Sequence, residues 1–275
     1  TVPEVDKMLV PYARKSYKKY KKEYTSILLE TVSPSDINQY KPKIKKYALD
    51  KLQRDFEQGW QGIEMKLNSV GSSRGDYPFV SMSLGLATSK FGKMASISLL
   101  KVHSEGQGKK GFKRPVLFPK IIFLYDKNLH GDGSPEYPNA DVFNAGIDCS
   151  SKTMYPDWLS LTGKGYVPEM YKKYGRVVSP MGCRAFLSPW YEKGGMHPAD
   201  EEDKPVFEGR CNLGVVSLHL PMILAKARRE GKDFYAVLDY YLEIIRNLHK
   251  RTYDYIGQLR ASVNPVAFCE GGLYG

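Results

Sequence analysis

Val116-Leu-Phe-Pro-Lys-Ile-Ile-Phe-Leu-Tyr125 is nearly all apolar. A run this short and this continuous reads as a β-strand buried on both faces, the kind found in parallel sheets covered by helices. Pro119 inside it lacks an N–H, which predicts a bulge or an edge position. Upstream, Pro78 to Leu86 (PFVSMSLGL) alternates apolar and small polar residues, so it reads as a second strand. A helix over 89–104 and a Gly/Lys-rich loop, Gly106 to Arg114, separate the two. Downstream, residues 126–139 read as a long loop and 140–152 as a helix. Gly163 to Val178 reads as irregular and basic, and 192–209, with GGMHPADEEDKP inside, as a polar exposed insertion. Cys211 to Leu220 reads as another buried strand, 221–230 and 232–259 as helices, and 264–268 as a last strand. Strands separated by helices or long connections predict an α/β domain with parallel strands.

Before the first strand the chain reads as helical. Ser33-Pro-Ser-Asp marks a break and a helix start, and residues 37–66 carry Ile44, Tyr47, Leu52, Phe56 and Trp60 at helical spacing. Asn68 to Asp76 (NSVGSSRGD) is rich in turn residues. The one boundary to argue for lies near residue 70, giving a helical segment over 1–70 and an α/β portion over 71–275.

The 275 residues hold 41 Lys and Arg against 30 Asp and Glu, a formal charge of +11. Such a surplus favours anionic partners. No apolar run approaches the ~18 residues of a membrane span. The chain opens at Thr1 without a charged-then-apolar leader, and its four scattered cysteines lack CxxC spacing, so a reducing cytoplasm is expected. Five scattered histidines show no HExxH or HxxxH spacing, so no metal site is expected in this chain. His219, in the expected strand, reads as a satisfied interior histidine rather than a ligand.

Residues 13–24, ARKSYKKYKKEY, interleave Tyr17, Tyr20 and Tyr24 with lysines at helical spacing. Two readings stay open: a solvated helix whose tyrosines pack on the next element, or a helix that binds anions or a second subunit. GQGKKGFKRP (106–115) lacks phosphate-loop spacing and follows a helix rather than a strand. SSRGD (72–76) could offer an anion nest of backbone amides around Ser72 and Ser73, or simply a turn before the strand. There is no GxSxG elbow.

The segment richest in chemistry is Ser179-Pro-Met-Gly-Cys-Arg-Ala-Phe-Leu-Ser-Pro-Trp190. A cysteine beside Gly182 and between two prolines belongs on a tight loop, where a thiol can approach a substrate closely. Together with Arg210-Cys-Asn-Leu-Gly-Val-Val-Ser-Leu-His-Leu-Pro221, it resembles the anaerobic (class III) ribonucleoside-triphosphate reductase large subunits, which are glycyl radical enzymes. The resemblance runs nearly end to end. It includes VDKMLVPYARKSYKKY (5–20), GIEMKLNSVGSSRGDYPFVSMSLGLATS (62–89), GQGKKGFKRPVLFPKIIF (106–123), CSSKTMYPD (149–157) and NPVAFCEGGLYG (264–275).

That resemblance implies part of a ten-stranded α/β barrel with a finger loop, here near 179–190. It implies that Cys183 carries a thiyl radical that takes the ribose 3′ hydrogen, after which the 2′ hydroxyl leaves as water and a reductant, commonly formate, completes the reaction. Sulfur suits this step because S–H and ribose C–H bonds are comparable in strength, whereas a serine O–H is far stronger. Asn212 would hold the ribose hydroxyls, and Ser72, Ser73 and Arg184 would contact substrate. Arg14, Lys15, Lys18 and Lys22 fall in the region that in relatives lies near the dimer contact and the nucleoside-triphosphate effector. Cys149 and Cys211 read as packing residues. Ala185 stands where some members have serine, which leaves no hydroxyl role there.

The implied partners are ribonucleoside triphosphates, a radical SAM activating enzyme and a second copy of the chain, with no membrane and no direct nucleic acid. The glycyl radical motif and the cysteine pairs for a structural zinc do not occur in these residues, so the chain reads as a central portion of such an enzyme, expected to be inactive alone. The competing reading is a nucleotide- or nucleic-acid-binding module that has lost the radical machinery. Intact MGCR and RCNLG segments favour the enzyme, and Arg184 after Cys183 argues against a pyruvate formate-lyase-like pair of adjacent cysteines.

Overall fold

Three parallel strands organise the molecule: β1 (Ser81–Leu84), β2 (Lys120–Tyr125) and β3 (Asp157–Ser160), in that spatial order. Ser81 pairs with Lys120 and Leu84 with Phe123, while Ile122 pairs with Asp157 and Tyr125 with Ser160. A computed structural model describes residues 2–69, 79–109, 111–177, 190–195, 197–207 and 214–265. These fall in two compact units, Thr1–Phe207 and Glu208–Gly275.

The two-faced burial read from residues 116–125 is present. Because successive side chains in a strand point to opposite faces, Ile121 and Phe123 go to one side of β2 and Ile122 and Leu124 to the other, and all four are buried. Pro119 causes no bulge and marks no edge. The strand starts one residue later, so the missing N–H falls outside the ladder and β2 can be the central strand. In β1 the alternation has a direct cause: Met82 and Leu84 join the core that includes Ile121 and Phe123, while Ser83 accepts a hydrogen bond from the Glu4 amide at 2.9 Å.

One face of the sheet is covered by α3 (Lys41–Ser69), α4 (Lys90–Glu105) and α6 (Ala140–Thr153), through Trp60, Leu99, Leu100, Val102, Val142 and Cys149. Helix α4 begins at Ser89, whose hydroxyl accepts from the Gly92 amide, and ends at Gly106 in a positive-φ conformation. On the other face Ile122 and Leu124 pack with Leu161, with Met170 of α7 (Tyr166–Tyr174), and with Val177 and Phe207. Helix α7 lies in the stretch expected to be irregular. Val167, Met170, Tyr171 and Tyr174 recur at the 3–4 spacing of an amphipathic helix, a signal masked by the surrounding glycines and lysines.

Before the sheet, α1 (Val5–Met8) and α2 (Val10–Leu29) lead through a 3-10 turn (Pro34–Tyr40) into α3. The expected loop over 126–139 contains a short helix, α5 (Lys127–His130), started by the Asp126 side chain accepting from the Asn128 amide. The insertion at 192–209 is bounded by a two-residue antiparallel pair, β4 (Trp190–Tyr191) with β5 (Pro205–Val206). Its turn is organised by Asp203, whose carboxylate accepts from the amides of Lys193, Gly194 and Ala199.

In the second unit the two expected helices are present as α8 (Leu220–Glu230) and α9 (Phe234–Gly257), and they pack as a hairpin. The described part of the expected strand over 211–220 is not a strand. Residues 214–219 are irregular, with Val215 and Val216 exposed. His219 is not interior; its Nδ1 caps α8 by accepting from the Met222 amide at 3.1 Å. An apolar run that leads into a helix cap mimics a strand when only composition is read. Residues 266–268 of the expected last strand lie outside the described residues. Among the described residues the parallel sheet has three strands, so the fold established is α/β and mostly helical.

Candidate functional site

In open α/β sheets ligands bind beyond the carboxyl ends of the strands. Here those ends carry Gly85 after β1 and Asp126 after β2. Gly85 has φ +119°, and a Cβ there would sit 2.9 Å from the Leu124 carbonyl oxygen, so no other residue fits without displacing β2. Three buried side chains secure this turn. The Asp6 carboxylate accepts from the amides of Gly85 (2.9 Å) and Ala87 (3.0 Å) and from the Ser96 hydroxyl (3.3 Å). Asn139 Nδ2 donates to the carbonyls of Gly85 and Ala87. His130 Nε2 lies 3.0 Å from the Gly85 carbonyl, and its Nδ1 accepts from the Asp126 amide. The same Nδ1 also lies 2.9 Å from the Asp126 carbonyl oxygen.

Burial pushes the Asp6 carboxyl up, against the opposing pull of the amides of Ala87, Gly85 and Lys7. Burial likewise pushes the His130 imidazole down, against the opposing pull of its contacts with the Asp126 and Gly85 backbone. Beside them, burial and then the Asp126 carboxylate push the Tyr171 phenol up to about 12. Asp6, Asn139 and His130 direct most of their hydrogen bonds to the backbone around Gly85, so they hold the first strand-to-helix turn in place. A second buried pair, Glu64 Oε1 with His103 Nδ1 at 2.8 Å, ties α3 to α4, and Gln107 donates to the other Glu64 oxygen. Gln107 and Arg114 close the basic loop with reciprocal backbone bonds, so the GQGKKGFKRP stretch is a hairpin turn after a helix, not a strand-to-helix phosphate loop.

Helix α2 fits the first reading of its sequence, a solvated helix whose tyrosines pack on neighbouring elements. Its tyrosines pack inward: Tyr24 stacks on Tyr47 at 4.4 Å, Tyr17 meets Phe91, and Tyr20 donates to Asp55. Arg14, Lys15, Lys18 and Lys22 share one exposed stripe at 3–4 spacing. Between residues 10 and 54 there are twelve Lys and Arg and four Asp and Glu, so this stretch carries most of the chain's surplus charge. None of the twelve makes an ion pair among the described residues. Between α2 and α3 lies an apolar groove of about 220 Å³ lined by Tyr12, Ala13, Leu52, Phe56 and Trp60, with Asp55 and Ser16 as its polar members.

Cys183, Arg184, Ser72, Ser73 and Asn212 lie outside the described residues. The chain on either side of Cys183 is described. Val177 and Phe207 are buried on the sheet face opposite α4 and α6, against Ile122 and Leu124. Cys149 is buried in the core, and burial pushes its thiol up, which fits packing rather than thiolate chemistry. Among the described residues no cluster of His, Cys, Asp and Glu could hold a metal ion, and no helix is long and apolar enough to cross a membrane. Sequence reasoning missed Asp6, His130 and Asn139. Nothing in VDKM marks its aspartate as buried. An Asn just before a helix and a His four residues after Asp126 were the available, weak signals.

Against this geometry, the sequence profile described as "Anaerobic ribonucleoside-triphosphate reductase" matches residues 1–274. The chain belongs to the anaerobic ribonucleoside-triphosphate reductase family. The reductase of that name from Haemophilus influenzae is 32% identical over 271 residues, covering 98% of this chain and 34% of the relative. That of Escherichia coli is 29% identical over 272 residues, again 98% of this chain and 34% of the relative. That of Enterobacteria phage T4 is 32% identical over 285 residues, covering 99% of this chain and 41% of the relative. The chain therefore spans about a third of the length of its bacterial relatives.

Proposed function

We propose that this chain contributes the Cys183-bearing part of an oxidoreductase that reduces ribonucleoside triphosphates to deoxyribonucleoside triphosphates without oxygen. The observation that carries the reading is the family match over residues 1–274, which takes in both the MGCR and RCNLG segments. The fold supports it in one respect. A sheet whose strands run in sequential order, with crossover helices α4 and α6 on one face, suits a sheet that curls into a barrel with its other face inward. The segments bounding Cys183 pack on that other face.

The roles are those the family resemblance implies, and bond strengths give the physical reason for a sulfur radical. A glycyl radical, on a segment outside this sequence, supplies the acceptor for the Cys183 hydrogen atom. Cys183, as a thiyl, takes the ribose 3′ hydrogen and returns it after the 2′ oxygen has left as water; two electrons are needed overall, and formate oxidised to carbon dioxide supplies them. Asn212 donates and accepts at the ribose hydroxyls, and Arg184 with Ser72 and Ser73 meets the triphosphate. Contact-distance placement of the thiol is the main requirement on the protein. The stripe Arg14, Lys15, Lys18 and Lys22 binds an effector nucleoside triphosphate at a contact between two copies of the chain. The activating enzyme is of the radical SAM class, a structural zinc lies on a segment outside this sequence, and the setting is the cytoplasm. The unpaired cations of α2 and α3 also favour a nucleotide-binding module without chemistry, the second reading.

The test is to supply the full-length protein, under anoxia, with activating enzyme, formate and a ribonucleoside triphosphate. Deoxynucleoside triphosphate should form and should cease to form after exposure to air. Tight nucleotide binding with no deoxynucleotide product would support the binding module instead.

A further inference from the structure

We infer that Asn68 couples the α2–α3 hairpin to the central strand, so that a nucleoside triphosphate bound on the α2 stripe is felt at β2. The inference rests on the effector reading above and adds to it the residue through which occupancy reaches the sheet.

Helix α3 serves two neighbours in turn. Through Tyr47 and Asp55 it holds α2: Tyr47 stacks on Tyr24 and donates to Glu23 at 2.6 Å, and Asp55 accepts from Tyr20 at 2.6 Å. From Gln53 onward it is also fastened to α4. Gln53 donates to the Ser98 hydroxyl at 3.0 Å, Glu57 accepts from Lys101 at 2.9 Å, Trp60 donates to the Ala95 carbonyl at 3.2 Å, and Glu64 meets His103 at 2.8 Å. A helix of 29 residues is about 43 Å long, so α3 joins the basic stretch to the sheet as one hydrogen-bonded rod.

Asn68, in the last turn, fixes that rod to the strand. Its Oδ1 accepts from the amides of Leu117 (3.0 Å) and Phe118 (3.1 Å), and its Nδ2 donates to the Phe118 carbonyl (2.6 Å) and to the Glu64 carbonyl (2.7 Å). One side chain thus offers residues 117–118 both a donor and an acceptor, as a neighbouring strand would, just before β2 begins at Lys120. The other end of the hairpin is fixed too. Asp6, four residues before α2, holds the amides of Gly85 and Ala87. The hairpin is therefore pinned after the carboxyl end of β1 and before the amino end of β2. Asp6 is fully enclosed, whereas Asn68 is half-buried and Leu117 is 69% exposed, so the Asn68 pin is the one free to yield. A ligand that favours one setting of α2 against α3 shifts that pin, because a ligand moves an equilibrium by its difference in affinity for the two settings.

The test is amide hydrogen exchange and turnover of the full-length enzyme with dATP, dCTP, dGTP and dTTP in turn. In the wild type, a nucleotide that slows exchange in α2 should also slow it in residues 120–124. In Asn68→Ala the α2 response should remain, with nucleotide affinity and nucleotide-free kcat unchanged within about two-fold. The β2 response should disappear, and the nucleotide-induced change in kcat/KM should fall at least about three-fold. Asn68→Asp, which keeps an acceptor for the two amides, should retain more of both responses. The inference is overturned by β2 amides that ignore the nucleotide in the wild type while α2 responds, or by coupling undiminished in Asn68→Ala. It is also overturned if nucleotide-free turnover falls in Asn68→Ala as far as the coupling does, the mark of a purely structural residue. Failure of the effector reading is seen separately, as a wild type whose α2 responds to none of the nucleotides.

Discussion

The sheet of the first unit and the α8–α9 hairpin of the second bury apolar side chains on very different scales. Around β2, Leu84, Leu99, Leu100, Ile121 and Phe123 are all fully buried. The hairpin buries Ile223, Ala227 and Val237 and leaves Tyr235 (69% exposed), Tyr240, Leu242, Leu248, Tyr253 and Tyr255 in the open. In the first unit, layers on both faces of the sheet provide the stabilisation. In the second it comes from one stripe (Phe234, Val237, Leu238, Tyr241) and from caps, His219 on α8 and Asp233 on α9. Regular secondary structure is thus no measure of how much core lies behind it.

The sharpest way to break this contrast is a pair of truncations. Phe123→Ala should destabilise the chain by about 4 kcal/mol, because it empties a site enclosed by Trp158, Phe143 and His130, whereas Leu242→Ala should fall within about 0.5 kcal/mol. Denaturant unfolding measures both, and similar losses at the two sites would refute the contrast. Next in size, Asp6→Ala should cost about 3 kcal/mol in the same assay, because it strands the buried amides of Gly85 and Ala87. Asp6→Asn, which keeps an acceptor, should cost less; equal costs would mean the amides are not what Asp6 serves.

Charge reversal at Lys18 and Lys22 should weaken binding of a nucleoside triphosphate by about ten-fold while leaving stability within about 0.5 kcal/mol, since both side chains are exposed. Calorimetric titration in low and moderate salt checks it, and unchanged affinity would remove α2 from the effector site. The smallest effect is the pH dependence at His130. Its folded pKa is depressed, so its contribution is present above the unfolded value near 6.5 and is lost as pH falls below it. Asp6, raised in the fold, works in the opposite sense as pH falls toward its ordinary value. Between pH 7.5 and 5.5 the wild type should therefore lose more stability than His130→Gln, by at most about 1.4 kcal/mol per pH unit. Equal slopes would mean that His130 titrates alike folded and unfolded.

What could be read ahead of the structure follows from the same physics. Residues 116–125 announced a strand buried on both faces by their continuous apolar run, and 78–86 a strand by alternation of apolar and small polar residues, because both patterns are local. Helices α3, α4, α6, α8 and α9 were legible for the same reason. Helix α7 was lost among glycines, and 214–219 passed for a strand because apolar composition alone does not distinguish a buried strand from an exposed approach to a helix cap. The buried polar cluster could not be read at all: Asp6 finds Gly85 across 79 residues, and only the folded chain brings them together. The site differs again. The motif around Cys183 was legible as a resemblance and lies outside the described residues.

The account turns on which cysteine does chemistry, and the most direct measurement sets Cys183→Ser beside Cys149→Ser in the full-length enzyme under anoxia. Cys183→Ser should abolish deoxynucleotide formation while sparing effector binding and the glycyl radical signal, and Cys149→Ser, at a buried packing position, should retain turnover. Substantial turnover in Cys183→Ser would contradict the assignment.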